Sequence, residues 1–269
     1  MDLQLKGKRA LVTGSSSGIG AACARELAAE GVDIVIHGRD RERAEAVAAE
    51  CAALGVRTAV ALGSVTDDAD CAAIAQSATT ALKGIDILVN SAGGVVRDGN
   101  PDWTEMTSAD WEESFSLNVT STIRLAQHLT PGMIERGWGR IINISSVGGK
   151  QLSGNLLEYG AAKAALDHLT GNLSRRLAPH GITVNGVVPG TVMTPQAMRY
   201  IVTLQKQNGW PDDLVECERI FTQERGAQPV PRLGKAEEIA AAVAFLASPR
   251  SDFTIGALLR IDGGSTRAT

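Results

Sequence analysis

The sequence predicts an α/β protein, a doubly wound sheet of seven parallel strands between two layers of helices (a three-layer α/β/α sandwich). The first observation is that short runs rich in Val, Ile and Leu alternate with longer stretches of helical period along most of the 269 residues. The second is that these runs are apolar on both faces, as in parallel strands that helices cover on both sides. Strands and helices in alternation imply right-handed crossovers within one sheet.

The predicted strands are short, and the segments between them are long enough for a covering helix. The strands are residues 9–13, 33–37, 57–62, 85–90, 140–144, 183–188 and 258–261. The helices are residues 21–30, 41–54, 68–82, 111–136, 159–179 and 237–247. No internal repeat or low-complexity linker divides the chain, so we expect a single domain over residues 1–269.

Composition and charge exclude several classes of function. Hydrophobic residues make up 44% of the chain and charged residues 21%, which suits a globular protein with a sizeable core. The formal net charge of −4 argues against a general nucleic-acid binder, which needs a basic surface. No apolar stretch approaches the roughly 18 residues of a membrane span, and residues 1–8 do not resemble a signal peptide. We therefore expect a cytoplasmic protein with neither a nucleic-acid nor a membrane partner.

The cysteines and histidines show no metal-ligand or redox spacing, and we expect no metal site. We expect the four cysteines to be buried as small apolar residues in a reducing compartment: Cys23, Cys51, Cys71 and Cys217. The sequence assigns no role to the four histidines, which are scattered along the chain: His37, His128, His168 and His180.

One segment, residues 192–232, breaks the alternation of strands and helices. It follows the sixth predicted strand and is too long for a simple connection, so we expect it to carry helices and a functional role. An apolar stripe at helical spacing supports this expectation, and its members are Ala197, Met198, Ile201, Val202 and Leu204.

A glycine-rich turn follows the first predicted strand. It reads TGSSSGIG at residues 13–20 and leads directly into an Ala-rich helix. Gly14 permits a tight turn, Gly18 lets the backbone approach a pyrophosphate, and Gly20 allows the helix to pack closely. The N–H groups and the positive dipole at the start of the helix would attract phosphates. The turn therefore predicts a dinucleotide site of the Rossmann type.

The spacing of these glycines resembles the TGxxxGxG signature of the short-chain dehydrogenase/reductase family rather than the common G-x-G-x-x-G fingerprint. Further segments resemble the family's other motifs in the same order: NSAG at 90–93, Asn118, Ser146, YGAAK at 159–163, PGTVMT at 189–194 and DGG at 262–264. The resemblance covers residues 7–264. It implies a nicotinamide-dependent oxidoreductase of Rossmann-type fold, with residues 192–232 as a helical lid over a small carbonyl or alcohol substrate.

Tyr159 and Lys163 lie four residues apart in a predicted helix and so share one face. A free tyrosine has a pKa near ~10, and a nearby ammonium would lower it towards the range of efficient acid–base catalysis. The resemblance makes Tyr159 the proton donor and acceptor and gives Lys163 the additional task of holding the cofactor ribose. It makes Ser146 the donor to the substrate oxygen and Asn118 the residue that holds a water in the proton path.

The end of the second predicted strand indicates the type of nicotinamide cofactor. Gly38 stands where NAD-preferring relatives usually carry Asp, and the guanidinium of Arg39 suits a 2′-phosphate. Against this, Asp40 could pair with Arg39 or reach the ribose itself, and Ser17 occupies a position that is basic in some NADP-preferring relatives. The sequence favours NADP(H), with NAD(H) as the alternative.

The resemblance extends the cofactor site to several strand ends. Ser64 stands where the family often has Asp, so contact with the adenine would be weaker or made by the backbone. The backbone of Val192 and the hydroxyl of Thr194 would meet the nicotinamide carboxamide. The full expected set is Gly14, Ser16, Ser17, Gly18, Ile19, Gly20, Arg39, Ser64, Val65, Asn90, Ala92, Gly93, Tyr159, Lys163, Pro189, Gly190, Val192 and Thr194.

Two other functions stay open. One is a 3-oxoacyl-carrier-protein reductase, in which an acidic carrier would dock on a basic patch of Arg136, Arg140, Arg175 and Arg176. The other is a cofactor-binding sensor or scaffold without turnover, which the intact catalytic set argues against. The resemblance also implies a homotetramer or homodimer.

Overall fold

The predicted strands form one parallel sheet in the computed structural model, which describes residues 1–96, 102–152, 154, 156–223 and 228–267. The strand order is β3-β2-β1-β4-β5-β6-β7, and every neighbouring pair is parallel. The strands are β1 Arg9–Val12, β2 Asp33–Gly38, β3 Thr58–Leu62, β4 Ile87–Asn90, β5 Gly139–Ile144, β6 Ile182–Pro189 and β7 Leu258–Ile261. The predicted seven-stranded Rossmann-type sheet is confirmed.

Helices cover both faces of the sheet. They are α1 Gly18–Ala29, α2 Arg41–Ala52, α3 Asp68–Leu82, α4 Ser108–Phe115, α5 Ser121–Arg136, α6 Leu157–Leu177, α7 Pro195–Asn208, α8 Leu214–Phe221 and α9 Ala236–Ala247. Neighbouring residues of a strand point to opposite faces. In β1, Val12 therefore packs in the apolar cluster under α1, α2 and α9, whereas Leu11 packs in the cluster under α3 and α5. This division confirms the three-layer arrangement.

The chain order reverses next to β1, which pairs with β2 on one side and β4 on the other. The connections after these strands therefore diverge at the carboxyl end of β1, the position at which open α/β sheets bind ligands. The glycine-rich turn begins at this point, between β1 and α1.

The predicted helix over residues 111–136 differs in the structure. Two α-helices, α4 and α5, are joined by a π-helical turn at Ser116–Thr120. A π turn accommodates one extra residue and occurs frequently at functional sites. Helical periodicity in the sequence does not reveal a single extra residue, so the two helices were predicted as one.

The segment predicted to carry its own helices does so in α7 and α8. Residues 224–227 of the predicted 192–232 range lie outside the described residues. The two helices enclose a separate apolar cluster of Ile201, Leu204, Cys217, Phe221 and Leu233. The start of the segment is tied to the body by a parallel bridge between Val192 and Gly234.

The cysteines are buried as predicted. Burial raises the pKa of the Cys23 thiol to about 12 and that of the Cys51 and Cys71 thiols to about 11, so these three stay protonated at neutral pH. In the described part of the chain, no helix combines the length and the apolar character needed to cross a bilayer.

Candidate functional site

The glycine-rich turn packs tightly on itself and leaves the start of α1 open. A Cβ on Gly20 would lie 2.4 Å from the Gly14 carbonyl oxygen, and Gly14 itself has a φ of +64°. Ser17 caps the helix without a side-chain hydrogen bond, and the first turn contains no acidic residue. The N–H groups of Gly18 and Ile19 are thus available to an anion, and the turn fits a pyrophosphate.

The end of β2 holds this turn in place through His37, a residue to which the sequence assigned no role. Its ring Nδ1 accepts a hydrogen bond from the Gly14 N–H at 3.1 Å, and its Nε2 lies 3.3 Å from the Gly63 carbonyl oxygen. The Ser15 hydroxyl accepts from the His37 N–H at 2.9 Å and donates to the Val12 carbonyl at 2.7 Å.

Ser16 lies against Gly38, immediately beside Arg39. A Cβ on Gly38 would come within 2.7 Å of the Ser16 hydroxyl oxygen, so a larger residue at position 38 requires Ser16 to move. Asp40 caps α2 by accepting from the Arg43 N–H at 3.1 Å, and its carboxylate also pairs with the Arg43 guanidinium at 3.3 Å. The Asp40 carboxylate is thus directed towards α2, and the structure records both of these contacts with Arg43.

Ser64 and Val65 follow β3, as predicted, but the Ser64 side chain already has a partner. Its hydroxyl lies 2.7 Å from that of Thr66, and its backbone N–H donates to the Asp70 carboxylate at 2.7 Å. Val65 is buried. Any contact with an adenine at this position would therefore come mainly from backbone groups.

The segment after β4 contributes main chain rather than side chains to the crevice. The Thr13 hydroxyl accepts from the Ser91 and Ala92 N–H groups, each at 2.9 Å, and holds this segment against the glycine-rich turn. The Asn90 amide donates to the Asn143 side-chain oxygen at 2.9 Å inside the sheet. Asn90 thus stabilises the sheet through its side chain, whereas Ala92 and the exposed Gly93 border the crevice.

Ser146 and Tyr159 meet at the carboxyl end of β5. The Ser146 hydroxyl oxygen accepts from the Gly148 N–H at 3.0 Å, which fixes the side chain. It is also near enough to the Tyr159 phenol to affect the pKa of that group. A Cβ on Gly148 would touch both side chains, at 3.4 Å from the Ser146 oxygen and 3.4 Å from the Tyr159 ring. The predicted serine and tyrosine therefore lie side by side.

The pKa of Tyr159 corrects one sequence expectation. Burial raises this pKa above its usual value, and the hydrogen bond from Ser146 opposes the rise. The expected lowering by Lys163 is not found, because the Lys163 ammonium lies 5.6 Å from the centre of the phenol ring and donates instead to the Ile144 carbonyl at 2.9 Å. In the protein chain alone, the phenol is therefore protonated at neutral pH.

Lys163 is buried, and its own charge is perturbed. Burial lowers the pKa of its ammonium to about 8, and the carboxylate of Asp167, one turn further along α6, opposes this fall. Asp167 is also buried and pairs with Lys150 at 3.1 Å. Sequence reasoning missed Asp167, although its spacing of four from Lys163 is a signal that could have identified it.

Asn118 lies in the π-helical turn between α4 and α5 and is buried. Its side chain is held by three hydrogen bonds: it accepts from the Gly94 N–H at 2.9 Å and donates to the Gly94 and Ser114 carbonyls. A Cβ on Gly93 would lie 2.8 Å from the Asn118 oxygen and 3.2 Å from the Lys163 nitrogen. Asn118 and Lys163 therefore converge on Gly93.

The segment after β6 approaches the glycine-rich turn. A Cβ on Gly18 would lie 3.4 Å from the Thr194 methyl group, while the Thr194 hydroxyl caps α7 by accepting from the Ala197 N–H at 3.2 Å. Gly190 packs against the end of β7, where its N–H donates to Ile261, the partner of Pro189. The predicted residues of this segment thus line the same edge of the sheet as the turn.

Most apolar residues of α7 and α8 pack these helices against each other. Ile201, Leu204 and Phe221 are buried within the segment, and the partly buried Met193, Met198 and Trp210 pack on them. Tyr200 and Leu214 are about half exposed. The apolar character of the segment therefore reflects mainly its own packing.

The expected basic docking patch is wrong in part. Arg140 is only 1% exposed, stacks on Trp138 and pairs with Asp252, so it cannot receive a carrier. Arg136 is bound to the Asp86 carboxylate at 3.1 Å. The strand pattern placed Arg140 at a strand end without indicating that its guanidinium points inward. Among the described residues, no group of three or more His, Cys, Asp and Glu side chains could hold a metal ion.

Known proteins resemble this chain over almost its whole length. A family model described as short chain dehydrogenase matches residues 8–203. A 3-oxoacyl-[acyl-carrier-protein] reductase from Aquifex aeolicus is 36% identical over 98% of this chain and 99% of its own. The solved structure of L-sorbose reductase from Gluconobacter frateurii, complexed with NADPH and L-sorbose, has a TM-score of 0.93 at 32% identity and covers 100% of both chains. A 7α-hydroxysteroid dehydrogenase complexed with NADH and 7-oxo glycochenodeoxycholic acid has a TM-score of 0.86 at 31% identity over 99% of this chain and 97% of its own.

Proposed function

The chain belongs to the short-chain dehydrogenase family, and from that premise we propose that it transfers hydride between NADP(H) and a carbonyl or secondary-alcohol substrate, with Tyr159 as general acid and base. Its relatives are oxidoreductases that act on CH–OH groups. The observation that carries the proposal is the contact between Ser146 and Tyr159 at the edge of the sheet where the glycine-rich turn lies.

The proposed cofactor site uses main-chain groups for the phosphates and side chains for the ribose. The open N–H groups of Gly18 and Ile19 would bind the pyrophosphate, and Lys163 would hold the nicotinamide ribose. The bridge to Gly234 uses the Thr191 carbonyl and the Met193 N–H. The N–H and carbonyl of Val192, which lies between Thr191 and Met193, point the opposite way in an extended chain and would bind the carboxamide. When bound, the dinucleotide supplies the hydride.

In the reductive direction, the protein supplies a proton and stabilises the developing charge. The raised pKa of Tyr159 keeps its phenol protonated, which is the form that donates to the substrate oxygen. Ser146, fixed by Gly148, donates its hydroxyl proton in a hydrogen bond to the same oxygen. The phenolate left on Tyr159 regains its proton from solvent, while Lys163 contributes by holding the ribose.

We propose NADP(H) as the preferred cofactor. Arg39 is exposed at the end of β2, and its acidic neighbour Asp40 is committed to capping α2 and pairing with Arg43. Ser16 fills the space beside Gly38 that a ribose-binding carboxylate would need. The site is therefore better suited to a 2′-phosphate than to free ribose hydroxyls.

Turnover of a carbonyl panel by the wild type and by Tyr159→Phe tests the proposal, with NADPH and NADH each supplied as reductant. We expect Tyr159→Phe to lower kcat by a factor of about 10² to 10⁴ while NADP⁺ still binds. Equal turnover by the two proteins above the uncatalysed rate would overturn the role of Tyr159, and the absence of turnover in both, with NADP⁺ still bound, would favour a sensor or scaffold.

A carrier-linked 3-oxoacyl substrate is a second candidate, favoured by the 36% identity to the Aquifex aeolicus reductase. The docking surface for it would consist of the exposed Arg175 and Arg176 on α6, since Arg140 is buried. The panel should therefore include one β-keto substrate both free and carrier-linked. A higher kcat/KM for the carrier-linked form, lost in an Arg175→Ala/Arg176→Ala double variant, would identify this function.

We also propose a cytoplasmic enzyme that forms a homotetramer or homodimer from single-domain chains of residues 1–269, with residues 192–232 as the substrate lid. Strand β7 lies at the edge of the sheet, and Phe253, Ile255 and Leu259 near it are exposed. Exposed apolar groups along a sheet edge favour association. Light scattering that gives a monomer mass at micromolar concentration would contradict the oligomer.

A further inference from the structure

His37 connects two turns that the proposed function places on opposite parts of the cofactor. The residue lies at the end of β2 and is only 3% exposed. Its Nδ1 accepts from the N–H of Gly14, in the pyrophosphate turn, and its Nε2 faces the carbonyl of Gly63, at the turn before Ser64. The imidazole therefore links two turns through hydrogen bonds: the turn at Gly14, proposed to bind the phosphates, and the turn at Gly63, proposed to bind the adenosine.

The two partners determine the protonation state of the ring. A backbone N–H can only donate, so Nδ1 must carry a lone pair towards Gly14; a carbonyl can only accept, so Nε2 must carry the proton towards Gly63. The neutral Nε2–H tautomer satisfies both groups. A doubly protonated ring would point a second N–H at that of Gly14 and break this link.

The surroundings favour the neutral ring. Burial lowers the pKa of His37; the hydrogen bond with the Gly63 carbonyl opposes this fall, and the positive charge of Arg39 adds to it, so that the net shift is downward. On the opposite side, the Asp70 carboxylate of α3 is occupied by the Ser64 N–H at 2.7 Å. On the side of the glycine-rich turn, the ring Nδ1 faces the Gly14 N–H, and the Ser15 hydroxyl contacts the His37 main chain and the Val12 carbonyl.

We infer that His37 is a positioning residue for the dinucleotide, and that its neutral imidazole holds the pyrophosphate turn and the adenosine turn at the spacing the cofactor needs. This inference rests on the proposed function. The bonds between Ser15 and the His37 main chain should persist in any His37 variant. A substitution therefore removes the two hydrogen bonds of the ring and leaves the contact between the end of β2 and Ser15 intact. The effect should fall on cofactor affinity and not on the chemical step.

The test compares His37→Leu, which removes both ring bonds, with His37→Asn, whose side-chain oxygen can replace Nδ1 as acceptor from Gly14. His128→Leu, on the exposed face of α5, is the matched control. We expect His37→Leu to raise the Kd of NADP⁺ by about tenfold at pH 7.5. His37→Asn should recover most of this loss, and kcat at saturating cofactor should change less than twofold in each. An unchanged Kd in His37→Leu, or a fall in kcat alone, would overturn the inference.

The pH dependence of the dinucleotide Kd is a second measurement, which should not change if His37 has only a structural role. In the wild type, the Kd should rise as the pH falls through the lowered pKa of His37, because the protonated ring cannot accept from Gly14. The rise should disappear in His37→Asn, whose amide does not titrate. Running the series with NAD⁺ as well as NADP⁺ removes the titration of the 2′-phosphate itself, whose pKa is near ~6.

The outcomes separate this inference from the function on which it rests. A wild type that binds neither dinucleotide refutes the proposed function. A wild type that binds and turns over, with the same acid rise in His37→Asn as in the wild type, refutes only the role of His37. If His37→Leu does not fold, the comparison of His37→Asn with the wild type across the pH series decides the question.

Discussion

Asp167 lies one helical turn beyond Lys163 in α6. Burial lowers the pKa of the Lys163 ammonium, and the Asp167 carboxylate partly offsets this fall. The pKa of Lys163 is about 8 with Asp167 in place, so the ammonium loses its proton only as the pH rises through that value. Asp167 also pairs with Lys150 at 3.1 Å, and we expect it to act on the proposed reaction through Lys163. We therefore expect the charge of Lys163, supported by Asp167, to set the upper pH limit of the proposed activity.

Asp167→Asn should move the alkaline limb of the kcat/KM profile to lower pH. Removing the carboxylate removes a charge that raises the Lys163 pKa, so the ammonium deprotonates sooner as the pH rises. Lys150→Met is the matched control, because it breaks the Asp167 ion pair but leaves the carboxylate in place. An alkaline limb that stays where it is in Asp167→Asn would contradict this role.

Arg39→Ala should raise the KM for NADPH by about tenfold and leave the KM for NADH nearly unchanged, since a hydrogen bond between charged groups contributes about 1.5–3 kcal/mol. Initial rates with each cofactor measure the effect. Arg41→Ala is a suitable comparison, because Arg41 is also exposed but pairs with Glu45 at 3.2 Å. An equal rise in the KM for NADPH and for NADH would show that Arg39 does not bind the 2′-phosphate.

Gly93→Ala should lower kcat by a factor of about 10 to 100, because small displacements of reacting groups are costly. The added methyl group would lie 2.8 Å from the Asn118 oxygen and 3.2 Å from the Lys163 nitrogen, so both must shift. Gly154→Ala adds a methyl group in open space and should leave kcat unchanged. Wild-type kcat in Gly93→Ala would mean that the positions of Asn118 and Lys163 do not limit the reaction.

Asp252→Asn should reduce the free energy of unfolding by about 1–3 kcal/mol, because it leaves the buried Arg140 guanidinium without its charged partner. Arg140→Met should cost less, since it removes the buried charge and keeps an apolar chain against Trp138. Urea unfolding of both variants measures the difference. A larger loss in Arg140→Met than in Asp252→Asn would reverse this explanation.

The sequence was sufficient to predict the sheet and the proximity of Ser146 and Tyr159. Strand periodicity depends on local spacing, and the family resemblance implies that Ser146 and Tyr159 lie together, as they do. It was insufficient for His37 and Arg140. The partners of these side chains, Gly14 and Asp252, come from distant parts of the chain, and periodicity does not report which way a side chain points.

The direction of the Tyr159 pKa was also beyond sequence reasoning. A separation of four residues brings an ammonium near a phenol, but the pKa depends on solvation and on where the ammonium donates. The Lys163 ammonium donates to the Ile144 carbonyl, and burial is the largest influence on the pKa of Tyr159.

The π-helical turn at Ser116–Thr120 has a consequence for the helices on either side of it. Each residue advances an α-helix by about 100° around its axis, so one inserted residue rotates α5 by about that angle relative to α4. The rotation lets α4 face α6 while α5 faces α3. Deleting a single residue there would turn the apolar side of α5 towards solvent, so the chain should tolerate a shortened loop far better than a shortened turn at Asn118.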